Sequence, residues 1–280
     1  MMPNSVTSYG DFVPRFVESC GIFSTPPGNY PERTDMAVQA PPKTGFEKWQ
    51  DGIDKAVGNT RWDSWDCEIR MAVDEYNRHL SGTAGYRPLD WQLIKAMVWV
   101  ETGAESRKWG SNPMQIGNPG DPGLRSLLAG NEGGDLIIPA AWKDRLTAGA
   151  ATTMGAYNIR AGIGYLLMRM ANYAIKSVPD SDSATYEVNV QAGDSISKIA
   201  KAKGSTVEIM QKLNPAAHIL RPGQTLKYRK ASLRKVIVGW KIITTSSIAT
   251  SYNVGDSMYA KKLDYALALI RNGEAAICAY

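Results

Sequence analysis

Apolar positions along this chain first fall into order after residue 45. Before that point Pro3, Pro14, Pro26, Pro27, Pro31, Pro41 and Pro42 recur too often for helices to run through, so residues 1–45 read as a proline-rich arm. Trp65, Ile69, Val73, Tyr76 and Leu80 then repeat at steps of three and four, which predicts one buried face of a helix over Asp63–Leu80 with Asp63 as its N-cap. A second helix is predicted over Leu89–Val100, striped by Leu93, Ile94, Met97 and Val100, with Pro88 before it, Glu101 at its C-terminal end and Gly103 beyond. Gly110–Gly134 is rich in glycine and proline and reads as loops around a short turn at Leu124–Leu128. Pro139–Met154 and Asn158–Lys176 carry helical patterns, and Val178–Ala184 reads as a polar linker.

The texture changes over residues 185–230. Tyr186, Val188 and Val190 alternate as in a strand, and Gly193-Asp194-Ser195 marks a turn that can cap a helix holding Ile196, Ile199 and Ala200. Val207–Leu213 suits a second helix, stopped by Asn214-Pro215. Arg221-Pro222-Gly223-Gln224 makes a turn into a closing strand, Thr225–Tyr228. The order is strand, helix, helix, strand. Beyond it Val236–Ala249 is apolar and β-branched, and Asp256–Arg271 is helical in pattern.

Composition narrows the class. With 280 residues, 44% hydrophobic and 21% charged, the chain is neither disordered, collagen-like nor a disulfide-dense miniprotein. No apolar run reaches the roughly 18 residues a membrane span needs; Val236–Ile243 is interrupted by Gly239 and Lys241. Met1–Val17 shows no basic start followed by an apolar block, so the expectation is synthesis in the cytoplasm without a signal peptide. Cys20, Cys67 and Cys278 lie far apart, which favours reduced or buried thiols. His79 and His218 are too few and too distant for a zinc site. The net charge of +5 points to an anionic partner, nucleic acid or bacterial wall, and it is unevenly placed. Residues 186–235 hold ten basic and three acidic residues, a local +7 that leaves −2 for the rest of the chain.

Two resemblances organise these readings. The run from Tyr186 to Tyr228 resembles the LysM family in Tyr186, Val188, Gly193-Asp194-Ser195, Ile199-Ala200, Asn214, Pro222-Gly223-Gln224 and Leu226. That resemblance implies binding to polymers of N-acetylglucosamine, peptidoglycan or chitin, through Gly193, Asp194, Ser195, Ile196, Asn214 and Pro215. The segments Trp62–Lys176 and Val236–Arg271 resemble the soluble lytic transglycosylase and goose-type lysozyme group. The motifs are Val100-Glu101-Thr102, Pro113-Met114-Gln115-Ile116, Asn158-Ile159 with Gly162, Tyr165 and Leu166, and Ser251-Tyr252-Asn253-Val254-Gly255. The loop before Met114 departs from the family, keeping only a small residue at Gly110. The last motif arrives only after the LysM-like unit, which implies that this unit is inserted into the larger domain. The expected fold is α+β: a mainly α-helical lysozyme-like domain over 46–180 and 236–280, with a βααβ unit at 185–230.

Chemistry fits the motif glutamate. Protonating a glycosidic oxygen near neutral pH needs a carboxylic acid whose pKa is raised by burial, and the end of an apolar helix also disfavours a negative charge. The resemblance implies that Glu101 acts alone, as acid and then base, yielding a 1,6-anhydro end. It further implies that Met114, Gln115, Ile116, Tyr252 and Asn253 contact substrate, Gln115 by donating to an acetamido group, and that no cofactor or metal takes part. Asn158 and Gly162 read as helix start and close packing. Glu105, Asp121, Glu132 and Asp135 are candidates for a second carboxylate, which would favour water attack and a hydrolytic muramidase. The competing reading is a non-catalytic wall-binding protein; nucleic-acid binding lacks a recognisable module. Because the substrate lies outside the cytoplasm, delivery as an injected antibacterial effector, with an immunity protein and a type VI secretion-machine component as partners, is expected ahead of release by a phage.

Overall fold

A computed structural model describes residues 42–273 together with Cys278. The proline-rich arm therefore lies almost wholly outside the described residues. At its end Thr44 and Glu47 form a reciprocal capping box that starts α1, Gly45–Ile53. The described elements continue with α2 (Asp66–Leu80), α3 (Trp91–Glu101), α4 (Gly123–Ala129), α5 (Gly134–Ile137), α6 (Ala148–Thr153), α7 (Gly155–Met170), β1 (Ala171–Pro179), β2 (Tyr186–Asn189), α8 (Ile196–Ala202), α9 (Val207–Leu213), β3 (Thr225–Tyr228), β4 (Ala231–Trp240), α10 (Thr245–Ser251) and α11 (Tyr259–Asn272). The chain is α+β and mainly helical, and its described residues form two small antiparallel sheets, β1–β4 and β2–β3.

The predicted stripe of α2 is buried at Ile69, Val73, Tyr76 and Leu80, but Asp63 does not cap it. The helix begins at Asp66, and the Asp63 carboxylate instead meets Lys95 Nζ at 2.6 Å. Lys95 is only 3% exposed, so its charge requires partners, and Asp66 supplies the second at 2.8 Å. Asp90 caps α3 by accepting from the Gln92 N–H, after which every residue from Leu93 to Trp99 is buried.

Three expected elements are divided or cut short, each for a physical reason. The helix expected over Pro139–Met154 is broken into a 3₁₀ turn, Ala140–Trp142, and α6, because the Thr147 hydroxyl accepts from the Ala150 N–H and starts a new helix there. The helix expected to reach Lys176 stops at Met170. From Ala171 the chain runs as β1, paired with β4 from Ala171↔Trp240 to Pro179↔Ala231. The weak helical preference of Asn172–Val178 yields to a ladder against the β-branched run of β4, and part of the expected linker at Val178 becomes strand. The apolar stretch Val236–Ala249 likewise divides: strand ends at Trp240, and Thr244 caps α10.

Two hydrophobic cores result. The large one is built on α2, α3, α7 and α11; the small one contains Val190, Ile199, Ala200, Met210, Ala217 and Leu226. The β1–β4 ribbon leads out of α7 to the small unit and back toward α10. The small unit is braced on this ribbon: the Ala231 N–H donates to Gly204 O at 3.0 Å, and the Ser177 and Thr206 hydroxyls are hydrogen-bonded. Among the described residues no helix is long and apolar enough to cross a membrane.

Cysteine corrects the sequence reading. Cys67, on α2, forms a disulfide with Cys278, closing a sequence separation of 211 residues. Spacing could not show this, since pairing depends on where the fold returns the chain. Cys20 lies outside the described residues. Reduction, or Cys67→Ala, is expected to lower stability by roughly 2–5 kcal/mol. Denaturant unfolding with and without reductant checks this, and a Cys67→Ala chain should no longer respond to reductant.

Candidate functional site

Glu101 ends α3 and faces a cavity of about 160 Å³ lined also by Met114, Gln115, Ile116, Asp121, Tyr165, Tyr252 and Asn253. All six catalytic and substrate-contact positions of the larger unit proposed from sequence thus border one space. Four separate stretches meet there: the end of α3, the loop after it, α7 through Tyr165, and the end of α10.

The carboxyl of Glu101 is held on both electrostatic and hydrogen-bonding terms. Burial raises its pKa from the usual 4.5 to about 6; hydrogen bonds from Tyr259 and then Asn253 oppose the rise, and the charges of Asp256 and Asp121 add to it. Tyr259 Oη donates to Glu101 Oε1 at 2.6 Å. Burial, and after it the Glu101 charge, hold the Tyr259 phenol well above its ordinary range, so it stays a donor. Tyr259 was not singled out from sequence. It opens α11 and is 1% exposed, and only the packing of α11 on α3 brings it to the acid.

The loop carrying Met114, Gln115 and Ile116 is pinned from several sides. Thr102 Oγ1 donates to Pro113 O at 2.7 Å. Tyr252 Oη donates to Met114 O at 3.2 Å, so its hydroxyl fixes the loop and does not touch the acid. The Gln115 side-chain amide donates to the main-chain oxygen of Glu101, which ties the loop to the end of α3 in place of the expected free donor. Gln115 adopts φ 49°, a left-handed conformation that costs a residue with a Cβ and is sustained by these bonds. Met114 and Ile116 are 1% and 3% exposed, so most of each side chain belongs to the core.

Asn158 has a different role from that expected. It lies inside α7, fully buried, and its side chain accepts from Met114 N at 2.8 Å while donating to Ile116 O at 3.2 Å and Ala151 O at 2.7 Å. Gly162 is a close-packing position as read: a Cβ there would fall 2.5 Å from Met114 Sδ. Asn158→Ala leaves buried backbone groups at Met114 and Ile116 unpartnered, and the expected loss is about 2–3 kcal/mol. Thermal unfolding checks the loss, and hydrogen exchange should show the Met114 amide losing protection first.

Of the four second-carboxylate candidates, Asp121 alone borders the cavity. Its two oxygens accept from Gly117 N at 3.0 Å and Gly123 N at 2.8 Å, so it organises the loop on which it sits. Glu105 is exposed beside Arg61, and Glu132 accepts from Ser126 Oγ. Asp135 lies on α5 and lines no cavity with Glu101.

In the small unit the proposed glycan-contact residues also hold its turns. Gly193 takes φ 81°, Asp194 accepts from Gln191 N at 2.8 Å, and Ser195 caps α8 through Lys198 N. Asn214 clamps both edges of one turn, donating to Met210 O and Lys227 O and accepting from Lys227 N. Ile196 packs against the small core and Pro215 is exposed. A cleft of about 550 Å³ on this unit is lined by Glu187, Val188, Gln191, Asp194 and Lys198 among others, and of the six proposed residues it includes Asp194.

Residues 188–228 match the family model of the LysM domain. No curated protein and no solved structure matches the chain. The LysM domain indicates binding of peptidoglycan or a related glycan.

Proposed function

We propose that this chain cuts the glycan strand of peptidoglycan at the β-1,4 bond between muramoyl and glucosaminyl residues, held on its substrate by the LysM domain. The observation that carries the reading is the Glu101 carboxyl, with its pKa raised to about 6 by burial and its Oε1 held by Tyr259, at the wall of an open cavity. In this state the acid proton sits on the other oxygen, free for transfer to the leaving O4. As the C1–O4 bond breaks, the resulting carboxylate accepts the proton of the muramoyl O6 hydroxyl, and O6 bonds to C1. Proton and bond counts balance without water, metal or cofactor, and the products are a free O4 end and a 1,6-anhydro end.

In this reading the catalytic body comprises residues 46–180 and 236–280, interrupted by the LysM domain, and resembles lysozyme-like transglycosylases. The second reading, hydrolysis, is favoured by one observation, the presence of Asp121 on the same cavity wall. Against it, both Asp121 oxygens already accept backbone N–H groups, so the carboxylate is engaged in holding its own loop. Mass spectrometry of products from purified sacculi separates the two: anhydro-muropeptides establish transglycosylation, reducing ends establish hydrolysis, and neither leaves a wall-binding protein.

The site of action in this reading is the periplasm of a target cell, reached by injection or by phage release. The Cys67–Cys278 disulfide supports a working place that is oxidising. An injected toxin of this kind requires a partner that protects the producer, so an immunity protein binding over the Glu101 cavity is part of the proposal.

A further inference from the structure

The LysM domain is joined to the body by a stiff mount. The β1–β4 ribbon pairs residue for residue from Tyr173↔Ile237 to Pro179↔Ala231. The nine residues of β1 reach about 30 Å. At its foot the Lys241 N–H donates to Met170 O at 2.8 Å, and Trp240 packs on Tyr86 while donating to Thr83 Oγ1 at 3.0 Å. Midway, Lys235 Nζ donates to Asn131 O, and the Tyr173 ring lies so close to Gly133 that a Cβ there would meet it. At the far end the ribbon grips the small unit through Ser177–Thr206 and through the Ala231 N–H on Gly204 O. Only Arg229 and Lys230 connect β3 to β4. The outgoing connection is folded on Asp182, which accepts from Tyr186 Oη at 2.5 Å and from Ala184 N at 3.0 Å.

The foot of this mount adjoins the Glu101 cavity. Tyr165 lines the cavity, and Arg169, one turn further along α7, donates to the main-chain oxygen of Ser251, the residue before Tyr252, at 3.3 Å. The main-chain oxygen of Arg169 accepts from Lys241 Nζ at 3.0 Å, and two residues later α7 passes into β1. A loose tether lets two sites engage a strand over a wide range of separations. A braced ribbon fixes one separation, and on a polymer of repeating disaccharides one separation selects one register. We propose, resting on the cleavage reading above, that the ribbon makes the chain selective for strand length. Its substrate is a polymeric strand that occupies the LysM domain and the Glu101 cavity together, and the cut falls a set number of sugars from the segment held by the LysM domain. Fragments too short to span both sites engage one of them only.

The test uses the full chain carrying Glu101→Gln, so that strands stay intact, and peptide-free glycan strands fractionated by the number of disaccharides. Affinity plotted against length is expected to rise in one step of about tenfold or more, at the length that first spans both sites. A second chain carries a glycine-serine insert between Pro179 and Asp180 and another between Lys230 and Ala231, which frees the small unit from the ribbon and leaves both cores whole. Its step is expected to move to longer strands and spread into a gradual rise. A third, with Ser177→Ala and Lys235→Ala, removes two side-chain braces, keeps the ladder, and should broaden the step in the same direction. A smooth rise with the unaltered ribbon, no binding at any length, or a step that stays in place in both altered chains overturns the proposal. Wild-type turnover on the same fractions is read alongside and is expected to begin at the step length. If the wild-type chain cuts no fraction, the cleavage reading fails, and the affinity step still decides whether the ribbon selects length. Equal cutting at every length leaves the cleavage reading standing and removes this one.

Discussion

Glu101→Gln is expected to reduce release of soluble muropeptides from sacculi by roughly 10²–10⁴-fold, the contribution of a positioned general acid, while leaving the fold intact. Turnover near the wild-type level would show that Glu101 is not the acid. The same substitution carries a stability prediction with a definite sign. The folded-state pKa lies above the usual 4.5, at about 6, so the folded chain holds the proton more tightly than the unfolded chain. That stabilisation is complete below about pH 4.5 and is lost as pH rises through 6. Above pH 6 wild-type Glu101 is a buried charge that costs up to about 2 kcal/mol relative to a neutral group. Glu101→Gln should therefore unfold at a higher temperature than wild type at pH 8 and show little difference at pH 4. Wild-type turnover should fall as pH rises through about 6. Tyr259→Phe removes a hydrogen bond that favours the carboxylate, so the falling limb should move to higher pH. A limb that stays in place would mean that Tyr259 does not tune the acid.

The largest expected loss of stability comes from Arg160. This residue of α7 is 4% exposed, pairs with Glu75 through two hydrogen bonds at 2.8 and 2.9 Å, meets Glu68, and lies over the Trp142 ring at 4.1 Å. It fastens α7 to α2, while its own main-chain oxygen accepts from Tyr76 Oη at 2.8 Å. Arg160→Met leaves two largely buried carboxylates without a counter-charge, and about 3–5 kcal/mol is expected to be lost. In a chain of this size that lowers the midpoint by about 10 °C. Adding Glu68→Gln and Glu75→Gln to Arg160→Met should restore most of the loss, because the stranded charges are then gone. Failure of that rescue would assign the loss to the packing of the guanidinium on Trp142.

Local pattern located the helices well where one face met a core. The α2 stripe and the α3 run were legible because spacing at three and four residues is a property of the helix itself, and the LysM unit was legible because turn glycines and caps sit within a few residues of what they close. The six residues around the cavity were found through motifs, each short. That they share one site was implied only by the resemblance; spacing alone could not show it, since Glu101 and Asn253 are brought together by the packing of α10 and α11 against the body.

By itself, then, the sequence determined the helices with a clear apolar face, α2 and α3, where the LysM unit lies, and which glutamate ends an apolar helix. Only the tertiary structure decided that Ala171–Pro179 is strand, that Cys67 meets Cys278, that Asn158 clamps the Met114 loop, and that Tyr259 holds the acid. The division is physical. Caps and periodicity act over one or two turns of chain, whereas a strand partner, a disulfide partner and a buried hydrogen bond are set by chain returning from 44 to 211 residues away.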